Sequence, residues 1–311
     1  MMNRLLSLIL LFIIFGSQNL FAMEQPIVIL YSDNNQSYME PAQIFKEKQT
    51  QKVLEFSLHG NVDQAPEIMS ELMGHKPALI FALGARAAWF AKVATKQNLD
   101  TKVLFAMVIN WQRYNLLDGQ PNMLGISSDI APGTQLFNLS LISPKAKRIG
   151  VIYSEKFSQT IIEEAEKAAQ LLGLELVATS IENAGSLKRA WRLMASDIDS
   201  YWVLTDPELY TMGNIHWLSE RCLKEKIVCI GQSTNITKLG VLLSINPDDE
   251  NIGLQAVGLA KRFLLNENLN GSGKVVDPIG TKVTFNRSTA DKIGLTVNAQ
   301  TLSMVNQVVK E

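Results

Sequence analysis

Short apolar runs alternate with longer amphipathic stretches along most of this 311-residue chain, and this alternation restricts its fold more than any other feature. The short runs are rich in β-branched residues, which is typical of strands, whereas the longer stretches carry apolar residues at helical spacing. Strands that alternate with helices predict parallel sheets covered by helices, and so an α/β fold. The predicted strands are residues 27–31, 53–58, 78–83, 102–109, 148–154, 174–180, 200–205, 227–231 and 240–245.

Residues 161–172 show the helical pattern most clearly. Ile162, Ala165 and Ala169 recur on one face, while Glu163 and Lys167 point outward. Gly173 follows directly as a C-terminal cap, so the next strand begins at once. The predicted helices are residues 41–48, 65–73, 85–95, 133–142, 158–172, 186–196, 213–225 and 250–265.

The predicted elements form two βα arrays in tandem, and short strands near residues 123–128 separate them without a long linker. Two arrays of similar size predict two domains with a cleft between them, and clefts at domain interfaces bind small ligands. Within each array, a ligand is expected at the carboxyl ends of the parallel strands.

The first 22 residues have the pattern of a cleavable signal peptide. A short segment ending in Arg4 is followed by an apolar stretch over residues 5–15, a Gly16-Ser17 break and the small residue Ala22. The apolar stretch is about half the roughly 20 residues that span a bilayer, so cleavage near Ala22 is expected, and an uncleaved anchor is the alternative. Without a cysteine at the cleavage point, the chain is not expected to be a lipoprotein.

Charge and cysteine content restrict the partners and the compartment. Cleavage removes Arg4 and no acidic residue, which leaves 28 basic and 30 acidic side chains and gives no indication of nucleic-acid binding. The only cysteines are Cys222 and Cys229, which in an oxidising compartment either pair across a helix-to-strand turn or stay free. We treat them as a candidate disulfide.

Catalytic and cofactor signatures are missing from the sequence. It contains no G-x-S-x-G elbow, no phosphate-binding Walker loop, no H-E-x-x-H and no clustered metal ligands, so no metal site and no cofactor are predicted. An enzyme that uses Asp206 with His216 is the remaining catalytic reading, but it has neither a nucleophile nor an orienting group. The sequence therefore favours a protein that binds and does not catalyse.

Polar and aromatic residues follow several predicted strands, where a ligand is expected. Arg86 lies in the first turn of a predicted helix, where helix N–H groups and a guanidinium suit a carboxylate. Asp206 follows a buried strand and suits an ammonium or a hydroxyl group, or else caps the next segment. The candidate ligand-binding residues are Ser32, Asn35, Tyr38, Gly84, Ala85, Arg86, Asn110, Tyr153, Phe157, Asp206, Tyr210 and Gln232.

Several stretches of the chain resemble a known family. Leu124-Gly125-Ile126-Ser127-Ser128, the helix at 133–143, the segment 144–153 and Asn246-Pro247-Asp248-Asp249 resemble the ABC transporter substrate-binding proteins whose best-known members handle tryptophan and tyrosine. Residues 283–295 look like the closing helix of that family. Where relatives commonly have a small hydroxyl residue after the glycine of the third strand, this chain has Ala85 and Arg86, which leaves the ligand open.

The resemblance implies a type I periplasmic binding protein fold, in which two Rossmann-like lobes with parallel sheets are joined by three crossovers and close on a solute. Carried onto this chain, the first lobe is residues 23–127 plus 246–280, and the second is residues 128–245 plus 281–311. The crossovers are expected near residues 127–129 and 244–248 and after Gly280.

The resemblance implies a periplasmic, monomeric protein that captures a small molecule, with an amino acid as the leading candidate, and delivers it to an ABC permease. The alternative keeps the fold and changes the output, so that the loaded protein engages a membrane sensor. The sequence does not decide between these partners.

Overall fold

The computed structural model describes residues 25–267 and 274–310, so the predicted signal peptide lies outside the described residues. The strands belong to two sheets. In chain order they are β1 Ile27–Tyr31, β2 Val53–Ser57, β3 Leu79–Leu83, β4 Lys102–Val108, β5 Met123–Ser127, β6 Arg148–Tyr153, β7 Glu175–Ser180, β8 Ser200–Val203, β9 Val228–Gly231, β10 Leu243–Pro247, β11 Val275–Val276, β12 Thr281–Asn286 and β13 Gln307–Val309.

Helices fill most of the intervals between the strands. None of them, within the ranges that the structure describes, is long and apolar enough to cross a membrane. In chain order they are α1 Met39–Glu47, α2 Ala65–Gly74, α3 Ala85–Thr95, α4 Pro132–Ile142, α5 Glu155–Leu171, α6 Leu187–Met194, α7 Met212–Glu225, α8 Thr234–Thr237, α9 Asp249–Leu264, α10 Arg287–Ile293 and α11 Ala299–Leu302.

The first sheet has the strand order β11-β5-β4-β3-β1-β2, and all its neighbouring strands run parallel. Every residue of β1 is buried. Ile27 and Ile29 pack with α1 and α9 on one face, whereas Val28 and Leu30 pack with α2 and α3 on the other. Because both faces are covered, the strand is a continuous apolar run.

The second sheet has the order β13-β12-β10-β9-β8-β6-β7 and is parallel except where β12 runs antiparallel to β10. The α/β fold with two mostly parallel sheets is therefore confirmed. The predicted closing helix over residues 283–295 is wrong at its start, because residues 283–286 belong to β12 and the helix begins at Arg287. Val283 and Phe285 are two residues apart and both belong to the hydrophobic core, as on one face of a strand, and their partners in β10 hold them in the sheet.

The chain passes between the sheets at three places in the described residues. It leaves the first sheet after β5, returns after β10 into α9, which packs on α1, and leaves again between β11 and β12. Gly280 lies in the third connection with φ of +80°, and a Cβ there would lie 2.8 Å from the Asn251 amide nitrogen. A residue other than glycine would therefore strain the connection between β11 and β12.

Candidate functional site

A cavity of about 650 Å³ lies where the carboxyl ends of strands from the two sheets face each other. It is bordered by the turn after β4, by the β5–α4 connection and by the segments that follow β6, β8 and β9. Its size and position are those of a small-molecule site. The lining residues are Asn110, Trp111, Gln112, Arg113, Ser127, Asp129, Ile130, Ala131, Pro132, Gln135, Lys156, Phe157, Thr160, Ile161, Glu164, Trp202, Val203, Leu204, Thr205, Gln232, Val275 and Asp277.

Asp129 is a largely buried carboxylate on the β5–α4 connection. The backbone N–H of Asn110 donates to its two oxygens at 3.1 and 2.9 Å. Burial raises the pKa of Asp129 and the hydrogen bond from Asn110 offsets part of that rise, so that the resulting pKa is about 6. Among the described residues Asp129 has no salt-bridge partner. The cavity therefore contains a carboxylate that lacks a cation.

Two glutamine side chains hold the backbone around Asp129. Gln232 donates to the carbonyl oxygen of Ser128 and accepts the N–H of Ile130 at 3.2 Å. Gln135 donates to the carbonyl oxygen of Ile130 at 2.8 Å. The backbone on both sides of the carboxylate is therefore hydrogen-bonded to one side chain just after β9 and one in α4.

Aromatic rings form part of the cavity wall. Trp111 lies in the turn after β4, Phe157 in the first turns of α5 and Trp202 in β8. The Trp202 indole N–H donates to Gln135 at 2.9 Å, which satisfies its polar atom inside the core. Trp111 and Phe157 are only partly buried, so their rings are available to a ligand.

Two cations also border the cavity, one from each sheet's side. The guanidinium of Arg113 lies 5.9 Å from the Phe157 ring, and the ammonium of Lys156 lies 4.7 Å from the same ring. Both side chains are exposed, and neither has a salt bridge within the described residues. They can therefore turn toward a ligand carboxylate at low electrostatic cost.

Asparagines set the path of the turn that carries Trp111 and Arg113. This 3-10 turn, Trp111–Tyr114, lies between Asn110 at φ +50° and Asn115 at φ +48°. Both are in the left-handed region, which asparagine tolerates better than most residues. The left-handed Asn110 lets its N–H meet Asp129.

Three of the twelve sequence-predicted site residues line the cavity, namely Asn110, Phe157 and Gln232. Asp129, Trp111, Arg113 and Trp202 were not among those twelve. Asp129 lies two residues past the end of β5, a strand that the sequence pattern assigns to the boundary between the two arrays and not to a predicted ligand-binding edge. Its position in a predicted connection between lobes is the sequence signal that would have found it.

A second group of predicted residues gathers at the ends of β1 and β3, outside the cavity lining. The Ser32 hydroxyl accepts the N–H of Ala87 at 2.9 Å, and a Cβ at Gly84 would lie 2.5 Å from that hydroxyl. Arg86 pairs with Asp33 at 3.6 Å. Tyr38 packs against Gly84, and burial raises the pKa of its hydroxyl. The Asn35 side chain accepts a hydrogen bond from the N–H of Ser37. In the first turn of α3 the Ala87 N–H thus already has a protein partner, and a role of this turn, including Ala85, in ligand binding stays a prediction.

The predicted residues of the second sheet also have protein partners. Asp206 accepts hydrogen bonds from the Ser154 N–H at 3.0 Å and the Ser158 hydroxyl at 2.8 Å, and it caps the following turn. Tyr210 donates to the Ile152 carbonyl oxygen at 2.6 Å. Tyr153, partly buried, donates to Gln159 at 3.2 Å. None of the three lines the cavity, and ligand contact by them stays a prediction.

Cys222 and Cys229 are both buried and free in the structure. Burial raises the pKa of the Cys222 thiol, and its contact with Cys229 raises it further. The thiols are therefore neighbours, and their pairing stays a prediction. The described residues contain no cluster of three or more potential metal ligands.

The sequence and the fold of this chain are similar to those of known proteins. The profile of a family described as ABC transporter substrate binding protein matches residues 40–309. A tyrosine-binding protein of Clostridioides difficile is 26% identical over 245 residues, which cover 77% of this chain and 66% of that protein. The match thus spans just under two thirds of the relative's length.

Two solved structures have the same fold over 92% of this chain and 100% of their own. One is an ABC domain in complex with L-Trp from Streptococcus pneumonia, with 20% identity and a TM-score of 0.63. The other is the ligand-free, open structure of a substrate binding protein with adhesive properties from Clostridium difficile, with 19% identity and a TM-score of 0.74.

Proposed function

The chain belongs to the ABC transporter substrate-binding protein family and has the type I periplasmic binding fold, and on this premise we propose that it binds a free aromatic amino acid in the cavity between its two sheets. In this arrangement Asp129 receives the ligand's ammonium group. Arg113 receives its carboxylate, and the side-chain ring lies against Trp111 and Phe157.

The observation that carries this proposal is the unpaired carboxylate of Asp129. Burying a carboxylate without a cation is costly, and the raised pKa of about 6 reflects that cost. An ammonium group in the cavity would supply the missing cation. A charge-assisted hydrogen bond of this kind contributes roughly 1.5 to 3 kcal/mol.

Other residues of the cavity favour a zwitterion with an aromatic side chain. Arg113 offers a planar set of donors to a carboxylate and comes from the opposite side of the cavity from Phe157. Rings of a ligand stack well on partly exposed aromatic side chains. The names of two similar proteins, one tyrosine-binding and one solved with L-Trp, support the same ligand class.

We further propose that binding leads to transport and not to chemistry. The two sheets would belong to two lobes, residues 23–127 plus 246–280 and residues 128–245 plus 281–311, which close because the ligand binds the closed form more tightly. The loaded, monomeric protein would pass its ligand to an ABC permease. We also propose that the protein is exported to the periplasm and that its signal peptide is cleaved near Ala22.

A thermal-shift series tests the ligand. A ligand that binds only the folded protein stabilises it, by about 2.7 kcal/mol at a ligand concentration 100 times Kd. This stabilisation raises the melting temperature. We expect L-tyrosine, L-tryptophan or L-phenylalanine to raise the melting temperature of the purified protein. Tyramine and 3-(4-hydroxyphenyl)propanoate, which lack one charged group each, should raise it much less. A shift with the analogues equal to that with L-tyrosine would contradict recognition of the zwitterion.

A further inference from the structure

Gln232 contacts the backbone on both sides of Asp129. Its side chain is buried, and as the residue directly after β9 it joins the end of that strand to the connection that follows β5 of the first sheet. Its amide nitrogen donates to Ser128, and its oxygen accepts from Ile130 at 3.2 Å. Since one residue separates these partners, the side chain brackets Asp129.

Only an amide of this length can make both bonds. The Ser128 carbonyl requires a donor and the Ile130 N–H requires an acceptor, and a glutamine side chain supplies one of each. Leucine supplies neither. Glutamate supplies only the acceptor and adds a negative charge beside Asp129.

The residues next to Gln232 fix where its side chain starts. A Cβ at Gly231 would lie 2.6 Å from the Ile236 side chain and 2.9 Å from the Val203 carbonyl oxygen, so the strand end is tightly packed. Ser233 has φ of +110°, a strained backbone conformation for a residue with a side chain. The end of β9 therefore has little freedom to move away from the connection.

We propose that Gln232 is a positioning residue, which holds the connection so that the Asp129 carboxylate meets both the Asn110 N–H and the cavity. It acts through Asp129 and not as an independent ligand contact. The part of this inference that concerns affinity rests on the proposed function, whereas the part that concerns the position of Asp129 does not.

The protein offers a matched control for this role. Gln255 in α9 makes the same pair of bonds around residue 278, because it donates to the Asp277 carbonyl oxygen at 2.8 Å and accepts the Ile279 N–H at 3.1 Å. Gln255→Leu removes the same two interactions as Gln232→Leu, from a segment that borders the cavity at Asp277 and not at Asp129. It separates the general effect of losing two side-chain-to-backbone hydrogen bonds from the effect of losing those next to Asp129.

The first measurement needs no ligand. NMR of the ¹³C carboxyl signal of Asp129 gives its titration midpoint in wild-type protein and in the variants Gln232→Leu, Gln232→Glu and Gln255→Leu. We expect Gln232→Leu to lower the midpoint toward the ordinary value near 3.9, because the freed carboxylate reaches water. Gln232→Glu should raise it by adding a like charge, and Gln255→Leu should leave it unchanged. An unchanged midpoint in both Gln232 variants would overturn the proposal.

The second measurement is a double-mutant cycle by calorimetry with L-tyrosine, or with whichever aromatic amino acid gives the largest thermal shift. We expect Gln232→Leu to weaken binding about tenfold when Asp129 is present and less than twofold when it is combined with Asp129→Asn. Equal losses in both backgrounds would show that Gln232 acts independently and would overturn the positioning role. If Asp129→Asn itself leaves affinity unchanged, the proposed ammonium site fails, and the NMR result still decides whether Gln232 positions Asp129.

Discussion

The backbone N–H of Asn110 donates to both carboxylate oxygens of Asp129, at 3.1 and 2.9 Å, and so joins the turn after β4 to the connection after β5. This bond connects the only largely buried carboxylate described in the cavity lining to the turn that carries Trp111 and Arg113. A ligand that pairs with Asp129 would therefore lie beside the turn that carries Trp111 and Arg113.

The raised pKa of Asp129 predicts that ligand affinity depends on pH. The carboxylate is charged above a pKa of about 6 and neutral below it. Because an ammonium group pairs with the charged form, affinity should be constant above pH 7 and should fall about tenfold for each pH unit below 6. Calorimetry between pH 8 and pH 5 measures this profile. A flat profile in wild-type protein would be inconsistent with ammonium binding at Asp129, and the Asp129→Asn variant should be flat.

Removing Asp206 should lower stability without changing the ligand site. Its buried carboxylate accepts four hydrogen bonds, from Ser154, Ser158, Glu208 and Leu209. Asp206→Ala leaves these donors unpaired, so we expect a loss of about 3 kcal/mol in the free energy of unfolding, measured by urea denaturation. Ser158→Ala removes one donor and should cost about 1 kcal/mol. Affinity for the ligand should stay within twofold, and a larger loss would support the predicted role of Asp206 as a ligand contact.

Replacing Asp249 should stabilise the protein at alkaline pH. Burial, and then the nearby Glu40, raise the pKa of Asp249 to about 6, although Lys282 acts in the opposite direction. An acid whose pKa is raised on folding destabilises the native state above that pKa, and this penalty disappears as pH falls through it. After allowance for solvent screening, Asp249→Asn should add about 1 kcal/mol at pH 8 and nothing near pH 4.

The control for Asp249 is its exposed neighbour. Glu250→Gln removes a charge from the same helix turn, and its effect should be the smaller one at pH 8. Thermal melts of both variants across this pH range measure the difference. Equal effects would mean that the gain comes from net charge and not from the buried site of Asp249.

The two cysteines should be unreactive in the folded protein. Both are buried, and the raised pKa of Cys222 keeps its thiol protonated. We expect no alkylation of native protein by iodoacetamide at pH 8, as read by mass spectrometry. Unfolding without reductant then separates two states, since free thiols take two labels per chain and a disulfide takes none. Rapid labelling of the native protein would contradict the buried geometry.

Strands that are buried on both faces could be predicted from the sequence, because each is a continuous apolar run bounded by helices. β1 and β3 are examples, and their predicted and observed carboxyl ends agree. β12 could not be predicted in this way. Its sequence Thr281–Asn286 alternates polar and apolar residues, and its strand state depends on the antiparallel partner β10, which lies far back in the chain.

The candidate site could be predicted only in part, for a related physical reason. Strand-end residues were correctly expected to border a cleft, and Asn110, Phe157 and Gln232 do so. Which strand ends converge depends on strand order, however, and the ends of β1 and β3 contact each other through Ser32 and Ala87. Asp129 lies in the connection that was predicted near residues 127–129, but that this connection borders the cavity follows from the topology and not from the local sequence pattern.

The most direct test of the account is isothermal titration calorimetry of L-tyrosine and L-tryptophan on wild-type protein and on Asp129→Asn at pH 7.5. The substitution keeps the size of the side chain and removes its charge. We expect at least one of the two amino acids to bind wild-type protein and to lose tenfold or more in affinity on the variant, which is about 1.4 kcal/mol or more. Equal affinities of the two proteins would contradict Asp129 as the ammonium site.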